Sequence, residues 1–336
     1  MYRIKRKGYF IILCILGIFL ITLMAGCSSG KTSGETKTSS EAKTSSENEK
    51  KTYTVGVVLA SSTNPLYVSM NKGIEDKAKE LGLNLRSIVV DNDQTRQSNG
   101  IQDLITAQVD ALLVSPITVE GGVPAYERAK EAGIPVISIA RTLRRPDIET
   151  TFVGMDNKMD GFKTGEWLAN KLNGKGKIAM LKGMAGASFT MDLEAGFKEA
   201  VSKYPDIKIV GEVNSAITKE QGLNNTENFL TANPELDAIY AANDELALGA
   251  IQAVEAAGRL DEIIITGYGG TPPGLESVKE GKITATTSLR PYGWGILGIQ
   301  TVFDVLNGKT VPNPVDHKTK IVDQEILKNT NPDELK

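Results

Sequence analysis

The chain has 336 residues, with 38 Lys and Arg against 41 Asp and Glu, a net charge of -3 and 40% hydrophobic residues. That length suggests roughly two domains; the charge balance speaks against a nucleic-acid binder and the apolar content against a chain disordered throughout. Two cysteines and one histidine exclude a disulfide-stapled scaffold, a Cys-rich zinc site and a His-rich metal centre.

The N-terminal segment differs from the rest. Arg3, Lys5, Arg6 and Lys7 precede an uncharged stretch from Tyr9 to Ala25. This stretch is shorter than the ~20 apolar residues of a spanning helix. Charged, apolar and then small residues are the order of an export signal, the other reading being a single anchor helix. Leu23-Met24-Ala25-Gly26-Cys27 resembles a bacterial lipobox, with Met24 where leucine is usual. The resemblance implies a signal peptide over 1–26, cleavage, and a lipidated, palmitate-bearing Cys27 at the start of the mature chain. Cys14 would leave with the signal. Ser28 to Thr52 is almost purely polar, with Lys37-Thr-Ser-Ser-Glu41 recurring as Lys43-Thr-Ser-Ser-Glu47. Such a segment buries too little apolar area to offset its ordering entropy. Residues 27–52 therefore read as a lipidated Cys and flexible tether, with a reach on the order of 25–30 Å.

From Tyr53 onward strands and helices alternate. Residues 53–60 form an apolar run without a polar face, as a buried parallel strand requires. In 65–81, Met70, Ile74, Ala78 and Leu81 recur on one helical face. Strand 83–90, helix 96–107, strand 111–115, helix 123–132 with Gly133 as C-cap, and strand 135–139 follow. After a polar stretch come strand 152–154, helix 159–172, strand 177–181, helix 191–203, strand 207–213, helix 222–232 and strand 238–241. The series closes with helix 244–256 capped by Asp244, strand 263–267, helix 272–280, strand 284–288 and helix 291–307. About ten strands alternating with helices predict an α/β protein of two doubly wound, Rossmann-like lobes, although the pattern also suits a barrel.

Catalytic signatures are missing. Gly308-Lys309-Thr310 has Phe303 where a P-loop needs glycine, no G-x-S-x-G occurs, and no G-x-G-x-x-G follows the first strand. The pairs Asp91/Asp93 and Asp244/Glu245 read as solvated loops and helix caps. The missing signatures speak against an enzyme, and no cofactor or metal is expected.

Specific segments carry a resemblance. Thr54-Val-Gly-Val-Val-Leu-Ala-Ser-Ser-Thr-Asn-Pro-Leu-Tyr67, Asp110-Ala-Leu-Leu-Val-Ser-Pro116 and Gly133-Ile-Pro-Val-Ile-Ser-Ile139 come first. Phe152-Val-Gly-Met-Asp-Asn157, the run from Ala241 to Ala250 and Gly270-Thr-Pro-Pro-Gly274 follow in order. Together, over about 53–325, they resemble the ribose-type sugar-binding proteins of bacterial ABC transporters, the type I periplasmic binding protein fold. The resemblance implies two lobes, 53–154 plus 290–316 and 155–289 plus 317–336, joined by three crossovers. Ligand would sit between them. It also implies an extracytoplasmic, lipid-anchored monomer that closes on a sugar or sugar-like molecule and delivers it to a membrane permease.

The implied ligand-binding positions are Ser61, Asn64, Tyr67, Arg141, Phe189, Met191, Asn243, Tyr268 and Arg290, with Trp294 as a further aromatic wall or a helix-packing residue. Asn64 and Asn243 also read as turn or capping residues, Tyr67 as core, and Arg141 as a surface arginine. Departures from the family pattern are Ala140 and Gly269 for acidic residues, Met191 for Arg, Ile217 for an aromatic and Leu289 for Gln. They point to a ligand other than ribose, less hydroxylated or with an anionic group facing Arg141 or Arg290. Rival readings are a sensory binding protein for a membrane receptor or kinase and a lipid-anchored α/β hydrolase. A LacI-type repressor would need an N-terminal helix-turn-helix, where export signal and tether stand instead.

Overall fold

Val55, Val57, Val58 and Leu59 are buried on both faces of the first strand, which only the middle of a covered parallel sheet allows. The computed structural model describes residues 52–335. The expected signal 1–26, Cys27 and all of the tether except Thr52 lie outside the described residues.

The elements follow in chain order. β1 (Thr54–Leu59), α1 (Pro65–Leu81), β2 (Asn84–Val89), α2 (Gln94–Thr106), β3 (Ala111–Val114), α3 (Val123–Glu131), β4 (Val136–Ile139) and β5 (Thr151–Gly154) come first. α4 (Asn157–Lys171), β6 (Lys175–Leu181), α5 (Ser188–Val201), β7 (Asp206–Val213), α6 (Lys219–Ala232), β8 (Ala238–Ala241), α7 (Asp244–Ala256) and β9 (Ile264–Gly269) continue. α8 (Pro272–Lys279), β10 (Ala285–Ser288), α9 (Pro291–Leu306), β11 (Val315–Asp316), β12 (Lys320–Asp323) and α10 (Gln324–Asn329) complete the series.

The strands form two six-stranded sheets, ordered β11-β5-β4-β3-β1-β2 and β12-β10-β9-β8-β6-β7. Every pairing is parallel except β10 with β12. Each sheet carries helices, so the molecule has two doubly wound α/β lobes and the barrel is ruled out. The chain passes between the sheets three times, after β5, after β10 and after β11.

β11 and β12 have no counterpart in the sequence reading. One is two residues long and the other four, Lys320-Ile-Val-Asp323, too short for either to show an apolar period. α2, α4, α5 and α6 begin two to three residues earlier than expected. Their first turns are polar or small, and Asp93, Asp156 and Thr218 cap three of them by accepting from backbone N–H groups. Asp244 does not cap α7. Asn243 does, with its side chain accepting from the Glu245 N–H. Nor is Asp244 solvated: it is fully buried, accepting from Thr271 N–H and Oγ1–H at 2.8 Å and from Thr286 Oγ1–H at 2.6 Å. Burial pushes its carboxyl upward.

Helices pair through glycines. A Cβ on Gly73 of α1 would run into the Tyr292 carbonyl of α9, and one on Gly295 into the Met70 carbonyl. Gly161 and Gly196 do the same between α4 and α5, and Gly222 and Gly249 between α6 and α7.

The crossovers converge on His317. Its backbone N–H donates to Gly154 O at 2.6 Å, and its ring Nε2 lies 2.6 Å from Leu289 O, so Nε2 carries the proton and donates. The ring stacks on Trp294, 5.4 Å between centroids and 5° from coplanar, and Trp294 Nε1–H donates to Val153 O at 3.1 Å. Burial lowers the His317 pKa to about 4, with Arg290 adding to the fall and Leu289 O and Asp316 opposing it.

Two predictions follow from this packing. Gly295→Ala gains up to ~1 kcal/mol of helix propensity but is expected to lose about 1–3 kcal/mol to overpacking. Urea denaturation should show a lower midpoint at unchanged m. For His317, the unfolded chain binds the proton more tightly than the folded one. Stability is therefore fully present above pH ~6.5 and falls as the pH drops towards about 4, by up to ~3 kcal/mol. His317→Gln should remove that part of the slope in denaturation curves between pH 4 and 7; an unchanged slope would refute the buried neutral imidazole.

Candidate functional site

In open α/β sheets a ligand site forms beyond the carboxyl ends of the strands, where loops and helix starts expose polar groups. Both sheets here point such ends at one cavity. From the first lobe Asn64, Leu66 and Tyr67 open α1 after β1, Ala140 and Arg141 follow β4, and Trp294 lies in the first turn of α9. From the second, Asn157 opens α4, Phe189 opens α5, Ile217 precedes α6, Asn243 precedes α7, and Tyr268 ends β9. Leu289, at the second crossover, closes the lining.

Each asparagine sits at a helix start. The Oδ1 of Asn64 accepts from Leu66 N–H at 3.0 Å and that of Asn243 from Glu245 N–H at 2.9 Å. Because backbone N–H groups can only donate, these contacts fix the amide orientation and leave Nδ2–H2 for other partners. The Tyr268 hydroxyl lies 2.8 Å from Asn157 Oδ1 and 3.1 Å from Asp160 Oδ2. Asp160 stands behind the cavity wall, where burial raises its carboxyl, and its Oδ1 accepts from Thr319 Oγ1–H at 2.6 Å. The Tyr67 hydroxyl is tied to Ser115 Oγ at 3.0 Å, which stands its ring against the cavity.

Arg141 is not a surface arginine: it is 3% exposed. Its guanidinium carbon lies 5.8 Å from the Tyr67 ring centroid and 5.3 Å from that of Phe189, a cation flanked by aromatics of both lobes. Nη1 donates to Asn92 Oδ1 at 3.3 Å and to Ile117 O at 3.5 Å, while Nε is buried with no partner. Near the cavity mouth Val119 N–H donates to Gly186 O at 3.1 Å and Thr142 N–H to Ser188 Oγ at 3.2 Å. Arg144 pairs with Asp192 at 3.0 Å. These three contacts cross the cleft.

The cavity thus gathers Asn64, Tyr67, Arg141, Phe189, Asn243 and Tyr268, and Trp294 with them, but not Ser61, Met191 or Arg290. The Ser61 hydroxyl is used by its own turn, accepting from Thr63 and Asn64 N–H. Met191 follows Phe189 by two residues on a helix, a rotation of about 200°, so both cannot face one cavity. Arg290 caps α9 at φ 44° and sends its guanidinium to Lys318 O at 2.8 Å, lining a separate surface groove with His317. Gly269 also lies outside the lining. Its φ of 145° favours glycine, and a Cβ there would sit 3.0 Å from Asp244 Oδ2. Leu66 and Asn157 were not singled out from sequence. The signal for Asn157 was its place as a polar residue opening a helix after a strand, the place Asn64 and Asn243 also hold.

Among the described residues no helix is long and apolar enough to cross a membrane, and no three His, Cys, Asp or Glu side chains converge as metal ligands. Residues 55–310 match the periplasmic binding protein domain family. The ribose import binding protein of Bacillus subtilis is 33% identical over 276 residues, 82% of this chain and 89% of that protein. A solute-binding protein from Bacillus halodurans solved with myo-inositol superposes at TM-score 0.79 with 29% identity, covering 82% of this chain and 96% of that one. One from Actinobacillus succinogenes solved with D-allose gives 0.78 and 31%, covering 83% and 100%. These relatives are binding proteins, not enzymes. Matching them along nearly their whole length and in both lobes, the chain belongs to the periplasmic binding protein family.

Proposed function

We propose that the chain is the extracytoplasmic solute-binding component of an ABC importer. It holds a sugar or sugar-like molecule between its two lobes and hands it to a membrane permease. The carrying observation is the cavity at the carboxyl ends of both sheets, lined from both lobes, with Arg141 of one lobe facing Phe189 of the other. A ligand there gains contacts with both lobes only when they are together, so it favours the closed arrangement, and binding is the whole of the mechanism. The ribose, allose and inositol proteins among its relatives support a polyol-sized ligand. The Leu-Met-Ala-Gly-Cys27 segment supports anchoring through a lipid on Cys27, with the permease reached from the membrane surface.

A thermal-shift screen of sugars, polyols, sugar acids and nucleosides tests binding. A ligand at 100 times its Kd stabilises the fold by ~2.7 kcal/mol, a shift readable without a transport assay. Phe189→Ala should weaken the best hit at least about tenfold, as loss of an aromatic wall in a buried site does; an unchanged affinity would remove this cavity from consideration. Cell fractionation tests the anchor: the wild-type chain should sediment with membranes and Cys27→Ser should not.

A further inference from the structure

The polar lining of the cavity is one-sided. Arg141 is the only charged residue in it, and no carboxylate lines it. Asn64 and Asn243 spend their carbonyl oxygens on backbone N–H groups, so each retains its amide N–H2. Arg141 adds further donors: its Nε is buried without a partner, and the oxygens near Nη1 are neutral and distant at 3.3 and 3.5 Å. None of the ion pairs among the described residues involves it. The nearest carboxylate behind the wall, Asp160, is occupied by Thr319 and Tyr268. The backbone also bars an acidic residue at Gly269, whose Cβ would crowd buried Asp244.

A buried guanidinium without an anion is costly, and buried charges are ordinarily paired. A hydroxyl must donate as well as accept. A fully hydroxylated sugar would leave several of its O–H groups unmatched against donors and the apolar surfaces of Leu66, Ile217 and Leu289. A carboxylate only accepts, and its two oxygens fit the guanidinium fork. We propose that the ligand is an organic carboxylate of about sugar size. Its carboxylate sits on Arg141 and the asparagine amides, and its sparsely hydroxylated body packs on Tyr67, Phe189, Leu289 and Trp294. This rests on the reading of the cavity as the ligand site.

The test is calorimetry and thermal shift on the purified chain with matched pairs: glucuronate against glucose, cyclohexanecarboxylate against cyclohexylmethanol, benzoate against benzyl alcohol. The acid should bind more tightly in each pair that binds, and raised salt should weaken it. Arg141→Met should lose about 30-fold or more of the acid's affinity, the cost of removing one partner of a buried charge pair. It should melt no lower than wild type, because an apolar side chain replaces an unpaired buried cation. That melting point separates lost binding from lost folding. If the neutral partners bind as tightly as the acids, or no acid shifts the melting point at millimolar concentration, the carboxylate proposal fails. Should a neutral sugar bind and be lost in Phe189→Ala, the cavity stands and only the ligand class falls. Binding of any probe that survives both Arg141→Met and Phe189→Ala overturns the site itself.

Discussion

His317 holds the three strands of chain that join the lobes. Its backbone N–H takes Gly154 O, its ring N–H takes Leu289 O, and the residue itself lies on the third crossover. Trp294 stacks on the ring and donates to Val153 O, so the cluster is closed by a fourth segment. Two of these residues also face the ligand cavity: Leu289 and Trp294 line it. The joint between the lobes is therefore one wall of the cleft. A rotation of one lobe about this cluster would move the Arg141 wall against the Phe189 wall while leaving the Trp294 wall in place, the geometry of a hinge with its pivot beside the cavity.

Helix starts supply the rest of the site. After each parallel strand the chain must turn into a helix whose first N–H groups lack partners, and an asparagine side chain satisfies one of them. In Asn64 and Asn243 that use consumes the carbonyl end of the amide and turns its N–H2 end free. Capping and ligand binding are thus not competing explanations of these residues, because they fall on opposite ends of one side chain. The same chemistry makes the polar lining donor-rich by construction.

Much of this could be read before the structure. The alternating strands and helices follow from apolar periodicity, and the choice of two lobes over a barrel leaned on the family resemblance. Strands as short as β11 and β12 do not, since their pairing depends on the sheet edge they meet. Asn64, Tyr67, Arg141, Phe189, Asn243 and Tyr268 came from the family resemblance, and the structure brings them to one cavity. Met191, singled out because it stands where the family pattern has an arginine, lies outside the cavity lining, about 200° around α5 from Phe189. Arg290 misled because a left-handed cap turns its side chain away. Asp244 looked like a cap and is instead a buried tie among α7, the loop before α8, and β10, a role set by Thr271 and Thr286 far along the chain.

Closure and charge are linked through Arg141. It belongs to the first lobe, and the Phe189 ring that covers one of its faces belongs to the second. Bringing the lobes together strips water from the guanidinium, which strengthens any attraction it makes and raises the cost of leaving it unpaired. Besides the Arg141–Phe189 contact, the polar contacts named above that cross the cleft are two hydrogen bonds and one half-exposed ion pair, each worth roughly 1 kcal/mol. They are too weak to offset a desolvated cation decisively. On the proposed reading, an anion on Arg141 would remove that penalty only in the closed arrangement, and the group that recognises the ligand would also make closure conditional on it.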